Sequence, residues 1–162
     1  MVEISRIGEE RWEEYRELRL AALKSEPIAF GSAFEEEERM SEGDWKQRLK
    51  NVLFAVIDDK LIGMIVLVFN SRIKTKHIAN IFGVYVENEY RGQGIGKKLM
   101  EAVLDAIEEN GNIVKINLSV NIQQKAAISL YKECGFETVG ILKKELIIDE
   151  IFYDELIMEK FL

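Results

Sequence analysis

The 162-residue chain has one cysteine, one histidine and one proline. The lone cysteine, Cys134, excludes a disulfide within the chain and suits a reducing compartment. Cys134 and His77 are too few for a conventional zinc site, so no metal is expected. The longest apolar run, Leu61 to Phe69, is too short to span a bilayer, so no membrane role is expected. No basic segment followed by an apolar stretch opens the chain; a secretory leader is not expected, and a cytoplasmic location is. With only Pro27 and no low-complexity stretch, nothing looks like a linker, and residues 1–162 read as one domain. Basic charge is also in deficit. Twenty-two Lys and Arg against 29 Asp and Glu leave −7, which argues against nucleic acid and is compatible with a cationic partner.

What is present is strong periodicity. Val2 to Ile7 alternates like a half-buried strand. Glu9 to Ser25 then reads as a helix with Trp12, Tyr15, Leu18 and Ala22 on one face. A loop at Pro27 to Gly31 precedes a second helical region, in which Ser41 and Asp44 have capping-box spacing before Trp45 and Leu49. Val52 to Ile57 and Leu61 to Asn70 form a hairpin around Asp58-Asp59-Lys60, and a further strand covers about His77 to Val86. A helix with Ile95, Leu99, Val103 and Ile107 as its buried stripe ends at Asn110-Gly111. It is followed by a strand at Ile113 to Val120, a helix at about Gln123 to Cys134, and strands at Glu137 to Ile148 and Phe152 to Phe161. The order βααβββαβαββ predicts an α/β (α+β) fold with a mixed, mostly antiparallel sheet and helices on its faces.

The most telling stretch is the turn Arg91-Gly92-Gln93-Gly94-Ile95-Gly96 between an apolar strand and a long helix. Glycines at alternate positions let backbone N–H groups converge at a helix N-terminus, an arrangement suited to phosphate. The dinucleotide fingerprint does not fit, because Gly92, Gly94 and Gly96 are followed by Lys97. A Walker loop does not fit either: Arg91 stands where its first glycine belongs and Lys98 where its hydroxyl belongs. Arg91, Gly94 and Gly96 do fit Arg-x-x-Gly-x-Gly. That pattern resembles the acetyl-CoA pyrophosphate loop of the GNAT N-acetyltransferase superfamily. A second stretch resembles the later part of the same family: Leu118-Ser119-Val120, Gln124, Ala127, then Leu130-Tyr131 and Gly135-Phe136. The order of elements is similar to the GNAT fold over essentially the whole chain.

The resemblance implies an acetyl-CoA-dependent N-acetyltransferase. It would move acetyl to a primary amine by direct transfer, with acetyl-CoA as co-substrate. The expected acceptor is a small amine, polyamine or amino acid; a protein N-terminus or lysine, and a non-catalytic acyl-CoA sensor, are the alternatives. The amides of Gly92, Gln93, Gly94, Ile95, Gly96 and Lys97 would hold the pyrophosphate, with Arg91, Lys97 and Lys98 adding positive charge. The edge of Val84, Tyr85 and Val86 would pair with the pantetheine arm, in a slot opened where that strand splays from Ile116 to Val120. Gln124 stands where the family usually has Asn, so either Gln124 or the nearby Asn121 would reach the arm. Tyr131 matches the tyrosine that protonates the leaving thiolate. For the base, His77, Asn80, Glu87 and Glu89 flank the strand, and ordered water is the alternative. Cys134 is not expected to form an acyl intermediate. The segment from Ser25 to Trp45 would shape the acceptor pocket, with the acidic run Glu35 to Glu38 as either a cation attractant or a helix-dipole feature. A monomer or homodimer is expected.

Overall fold

The computed structural model describes residues Met1 to Leu162. Seven strands form one sheet: β1 (Glu3–Ser5), β2 (Val52–Ile57), β3 (Lys60–Phe69), β4 (Ile78–Val86), β5 (Lys115–Asn121), β6 (Glu137–Ile148) and β7 (Ile151–Phe161). Their spatial order is β1-β2-β3-β4-β5-β7-β6, and every pairing is antiparallel except β4 with β5. The helices are α1 (Trp12–Ser25), α2 (Phe34–Glu37), α3 (Glu42–Leu49), α4 (Ile95–Asn110) and α5 (Lys125–Glu133). The expected second helical region is therefore two helices, the first of only 4 residues. The start of the first expected helix, Glu9 to Arg11, is a 3-10 turn.

Local chemistry accounts for the boundaries. Ser41 Oγ accepts the Asp44 N–H at 3.2 Å, and an Asp44 carboxylate oxygen accepts the Ser41 N–H at 3.0 Å, which starts α3 as a capping box. Asp58-Asp59 and Asp149-Glu150 all have positive φ and close two-residue hairpins between β2 and β3 and between β6 and β7. Such turns match the twist of the strands they join.

Alternation along β2 feeds two cores. Leu53 and Ala55 join a cluster with Ile95, Leu99, Met100, Val103 and Ile107 of α4. Val52 and Phe54 join a cluster with Tyr15, Leu18, Ala22 and Leu23 of α1 and Trp45 of α3. Successive strand residues point to opposite faces, so α4 and α5 cover one side of the sheet and α1 and α3 the other. No helix is long and apolar enough to cross a membrane.

The sheet is interrupted where the site lies. Strands β4 and β5 pair only at Ile78–Asn80 with Lys115–Asn117. Beyond that they separate, leaving the rest of β4 and Leu118 to Asn121 without a ladder between them. A bulge adds to the break: Met64 faces Tyr85 but Val66 faces Phe82, so Gly83 and Val84 together oppose Ile65. Gly83 sits at φ +57°, which glycine adopts without penalty. The extra residue changes the parity of β4. Ala79 and Ile81 pack toward α4, and after the bulge it is Val84 and Val86 that do so, while Tyr85 enters the α1 core.

Candidate active site

The glycine turn leaves β4, passes through a 3-10 turn at Asn88–Tyr90 and enters α4. Gly92 and Gly94 have φ +75° and +77°, and a Cβ on either would meet nothing within 4 Å. Open space therefore faces both. Lys98 N–H to the Gly94 carbonyl, at 3.1 Å, is the first bond of the helix. The six N–H groups from Gly92 to Lys97 consequently have no partner in the protein. Six free donors at the positive end of a 16-residue helix form a ready anion site. Gly96 is different: a Cβ there would come within 3.3 Å of Leu130 of α5, so this glycine lets two helices approach.

Arg91 does not extend toward the turn's open side. Its Nε donates to the Val86 carbonyl at 2.8 Å and its Nη1 to Glu26 Oε1 at 2.7 Å, with the guanidinium 5.6 Å from the Tyr85 ring centroid. It braces the end of β4 against the segment after α1, and Glu26 offsets its charge. The lysines Lys97 and Lys98 are exposed at the helix start. Tyr85 is buried in the α1 core, so only its backbone is available to a ligand along the strand.

Where β4 and β5 separate, a cavity of about 530 Å³ opens. Val84, Asn121, Gln124 and Tyr131 all line it, so the two candidates for the arm contact and the tyrosine lie around one space. Residues Ile28 to Ser32 close one side, in the segment expected to shape the acceptor pocket. Asn121 is 2% exposed; its Oδ1 accepts the Gln123 N–H at 2.9 Å, and its Nδ2 has no partner. A buried amide donor without an acceptor is costly, and a ligand carbonyl would relieve it. Tyr131 packs edge-on against Phe136 at 6.3 Å, and burial, with Cys134 nearby, raises its phenol well above the ordinary value. The phenol therefore stays protonated throughout the neutral range.

The base candidates from the sequence lie elsewhere. His77 is exposed at the far end of β4, Asn80 donates to Asn70 at 2.8 Å, and Glu87 pairs with Lys60 at 2.8 Å; Glu89 lies 3.7 Å from the same lysine. None of the four lines the cavity. Cys134 is half-buried with its thiol raised by burial, first, and by Glu101, which leaves little thiolate for nucleophilic work.

Four charged residues to which the sequence reading gave no role do line the cavity: Arg19, Arg48, Glu145 and Glu155. Arg19 is buried on α1 and donates Nε and Nη2 to Glu37, both at 2.9 Å; Arg48 Nη1 reaches Glu37 Oε1 at 2.7 Å. Burial would raise the Glu37 carboxyl, but hydrogen bonds from Arg19 and Arg48 outweigh it and bring it to about 2. Glu37 is 2% exposed, so this member of the acidic run is an internal counterion and not a surface lure for cations. Opposite, Glu155 on β7 is half-buried, and burial together with Glu145 raises its carboxyl. Only a helical stripe containing an arginine among apolar residues, Leu18-Arg19-Ala22, hinted at any of this.

The acetyltransferase (GNAT) family model matches residues 5–136, and the chain belongs to that family. It is 29% identical over 105 residues to an L-amino acid N-acetyltransferase of Escherichia coli (62% of this chain, 64% of the relative). It is 31% identical over 99 residues to a spermidine N(1)-acetyltransferase of Vibrio cholerae (61% of this chain, 57% of the relative). These matches span less than two thirds of either relative's length. A putative acetyltransferase from Salmonella typhimurium, solved with its cofactor acetyl-CoA, superposes with a TM-score of 0.82 over 100% of this chain and 94% of its own, at 16% identity. That likeness bears on the fold, and it extends over every element described above.

Proposed function

We propose that the protein is an acetyl-CoA-dependent N-acetyltransferase that acetylates the primary amine of a small molecule by direct transfer. The observation that carries this reading is the row of six unpaired amides, Gly92 to Lys97, at the end of a strand that parts from its neighbour to open a cavity. The amides would hold the pyrophosphate. The edge of Val84 to Val86 would receive the pantetheine arm as an added strand, with Asn121 Nδ2 or the Gln124 amide donating to one of its carbonyls. Acetyl-CoA supplies an activated acetyl group whose carbon–sulfur bond breaks as the amine nitrogen bonds to the carbonyl carbon.

The chain's own residues then have two protons to handle. A lysine-like amine with pKa about 10.4 is nearly all protonated at neutral pH. Glu155 is the carboxylate suited to take its proton: it lines the cavity, and its raised affinity for protons narrows the gap to the amine. The departing sulfur needs a proton in return, and Tyr131 offers a loaded donor in the same cavity. A thiol has a pKa of about 8.5, below a buried phenol, so this transfer is uphill from a hydrated thiolate, and the gap narrows because the thiolate forms where water is scarce and its own proton affinity rises.

The test is Tyr131→Phe, which keeps the ring against Phe136 and removes the donor. At saturating acetyl-CoA and with a good acceptor, thiol release should fall by roughly 10²–10⁴ while acetyl-CoA affinity changes little. Equal turnover in both proteins would remove Tyr131 from the chemistry. Binding of acetyl-CoA with no acetylation of any amine would favour a sensor.

A further inference from the structure

The cavity carries unmatched charge of both signs. On the α1 and α3 side, Arg19 and Arg48 share one carboxylate, Glu37, so two positive charges meet one negative charge. Arg19 Nη1 takes no part in that ion pair and lies against the β4 bulge, where a Cβ at Gly83 would come within 2.8 Å of it. On the β6 and β7 side, Glu145 and Glu155 have no salt-bridge partner. Of the two lysines on the same bulge, Lys143 is taken by Asp154 at 3.1 Å and the Lys144 ammonium lies 5.3 Å from the Phe152 ring centroid. No ion pair crosses between Arg19 or Arg48 and Glu145 or Glu155, although all four line one space. Asn121, directly across from Glu155 in the β5–β7 ladder, is nine-tenths or more buried and has a donor that nothing in the protein accepts.

Glu145 is exposed, but Arg19 is buried and Arg48 and Glu155 are partly so, and such charges left unmatched are expensive unless something else matches them. A polyamine would match the carboxylates but would meet the surplus positive charge of the arginines. A neutral amine would match neither wall. An amine that also carries a carboxylate matches both. Resting on the acetyltransferase reading above, we propose that the acceptor is a free amino acid-type zwitterion: its carboxylate is held by Arg48 with Arg19, and its amine lies toward Glu155. Arginine's planar fork suits a carboxylate bidentately, which favours this anion over a diffuse negative charge. The site thus selects by charge at two places, and the side chain of the amino acid is left to the apolar lining from Ile28 to Phe30 and from Val66 and Val68.

The experiment compares matched acceptors at saturating acetyl-CoA: leucine, methionine, phenylalanine and glutamate, each against its carboxamide and its decarboxylated amine, with spermidine alongside. Acetyl-CoA binding is measured separately by calorimetry. At least one amino acid should exceed its own carboxamide in kcat/KM by about tenfold or more, and Arg48→Gln should collapse that ratio toward one. Arg48→Lys keeps a charge beside Glu37 and should restore part of the ratio, which separates carboxylate binding from a general loss of structure. The proposal is overturned if amides, decarboxylated amines or spermidine are the better acceptors, or if the acid-to-amide ratio is the same in Arg48→Gln and the parent. In those cases an amine has still been acetylated, and the acetyltransferase reading stands. If acetyl-CoA does not bind and no amine reacts, both fall.

Discussion

Glu37 links the stability of the fold to the charge of the cavity, and its titration makes that link measurable. Its carboxyl falls from an ordinary 4.5 to about 2 because two guanidinium groups favour the charged form more than burial opposes it. The folded-state value lies below the unfolded one. The stabilisation is therefore complete above about pH 4.5 and is lost as pH falls toward 2. The difference corresponds to about 3 kcal/mol at neutral pH, of which about 2 kcal/mol should be gone by pH 3. Glu37→Gln removes the titration and leaves Arg19 and Arg48 without their counterion, a loss of about 3–5 kcal/mol at pH 7. Urea unfolding of parent and variant, followed by circular dichroism at several values from pH 6 to pH 3, gives the difference directly. The parent's advantage should shrink by about 2 kcal/mol across that range, and subtracting the variant cancels the other carboxylates. An advantage that stays constant with pH, or is under about 1 kcal/mol at pH 6, would refute the assignment of Glu37 as the shared internal counterion.

Three further outcomes are expected. Glu155→Gln should lower turnover and shift its acidic limb, yet raise the thermal midpoint slightly at pH 7, because a carboxyl whose folded value is raised is destabilising once ionised; a lower midpoint with unchanged turnover would make Glu155 structural. Gly94→Ala should cost about 1–2 kcal/mol from its left-handed backbone and also weaken acetyl-CoA in calorimetry on the folded fraction, whereas unchanged affinity would move the pyrophosphate away from this turn. Of the two amides beside the arm, Asn121→Ala should weaken acetyl-CoA by about 0.5–1.5 kcal/mol and more than Gln124→Ala does, since Asn121 Nδ2 is the buried donor without a partner; the opposite order would assign the contact to Gln124.

The elements were legible because their signals are local. Ile95, Leu99, Val103 and Ile107 form one buried stripe of α4, Gly111 takes φ +71° where a helix-ending glycine was expected, and Ser41 with Asp44 starts α3. The glycine turn was legible for the same reason, since one short stretch carries strand, glycines and helix start. The short helix at Phe34–Glu37 was not, because 4 residues give no period to read. Nor was the pairing of Arg91, whose partners Val86 and Glu26 depend on where two separate segments meet.

The charges that line the cavity escaped for a deeper reason, which is that alternation fails at bulges. Regular pleating from Ile81 would put Tyr85 toward α4; the extra residue at Gly83 sends it into the α1 core and leaves room for Arg19 against the strand. In β6, regular pleating would group Leu142, Lys144 and Leu146 and turn Glu145 away. Instead Lys143, Lys144 and Glu145 together oppose the region of Asp154, between the pairs Leu142 with Glu155 and Leu146 with Tyr153. Lys144 takes φ +53° there, and Asp154 fixes the bend by accepting the Lys144 N–H at 2.8 Å and pairing with Lys143 at 3.1 Å. Glu145 then lines the cavity beside Leu142 and Leu146. One bulge accommodates the cationic wall and the other supplies part of the anionic wall. Both depend on pairing with a partner strand, so no reading of period along a single segment could have found them.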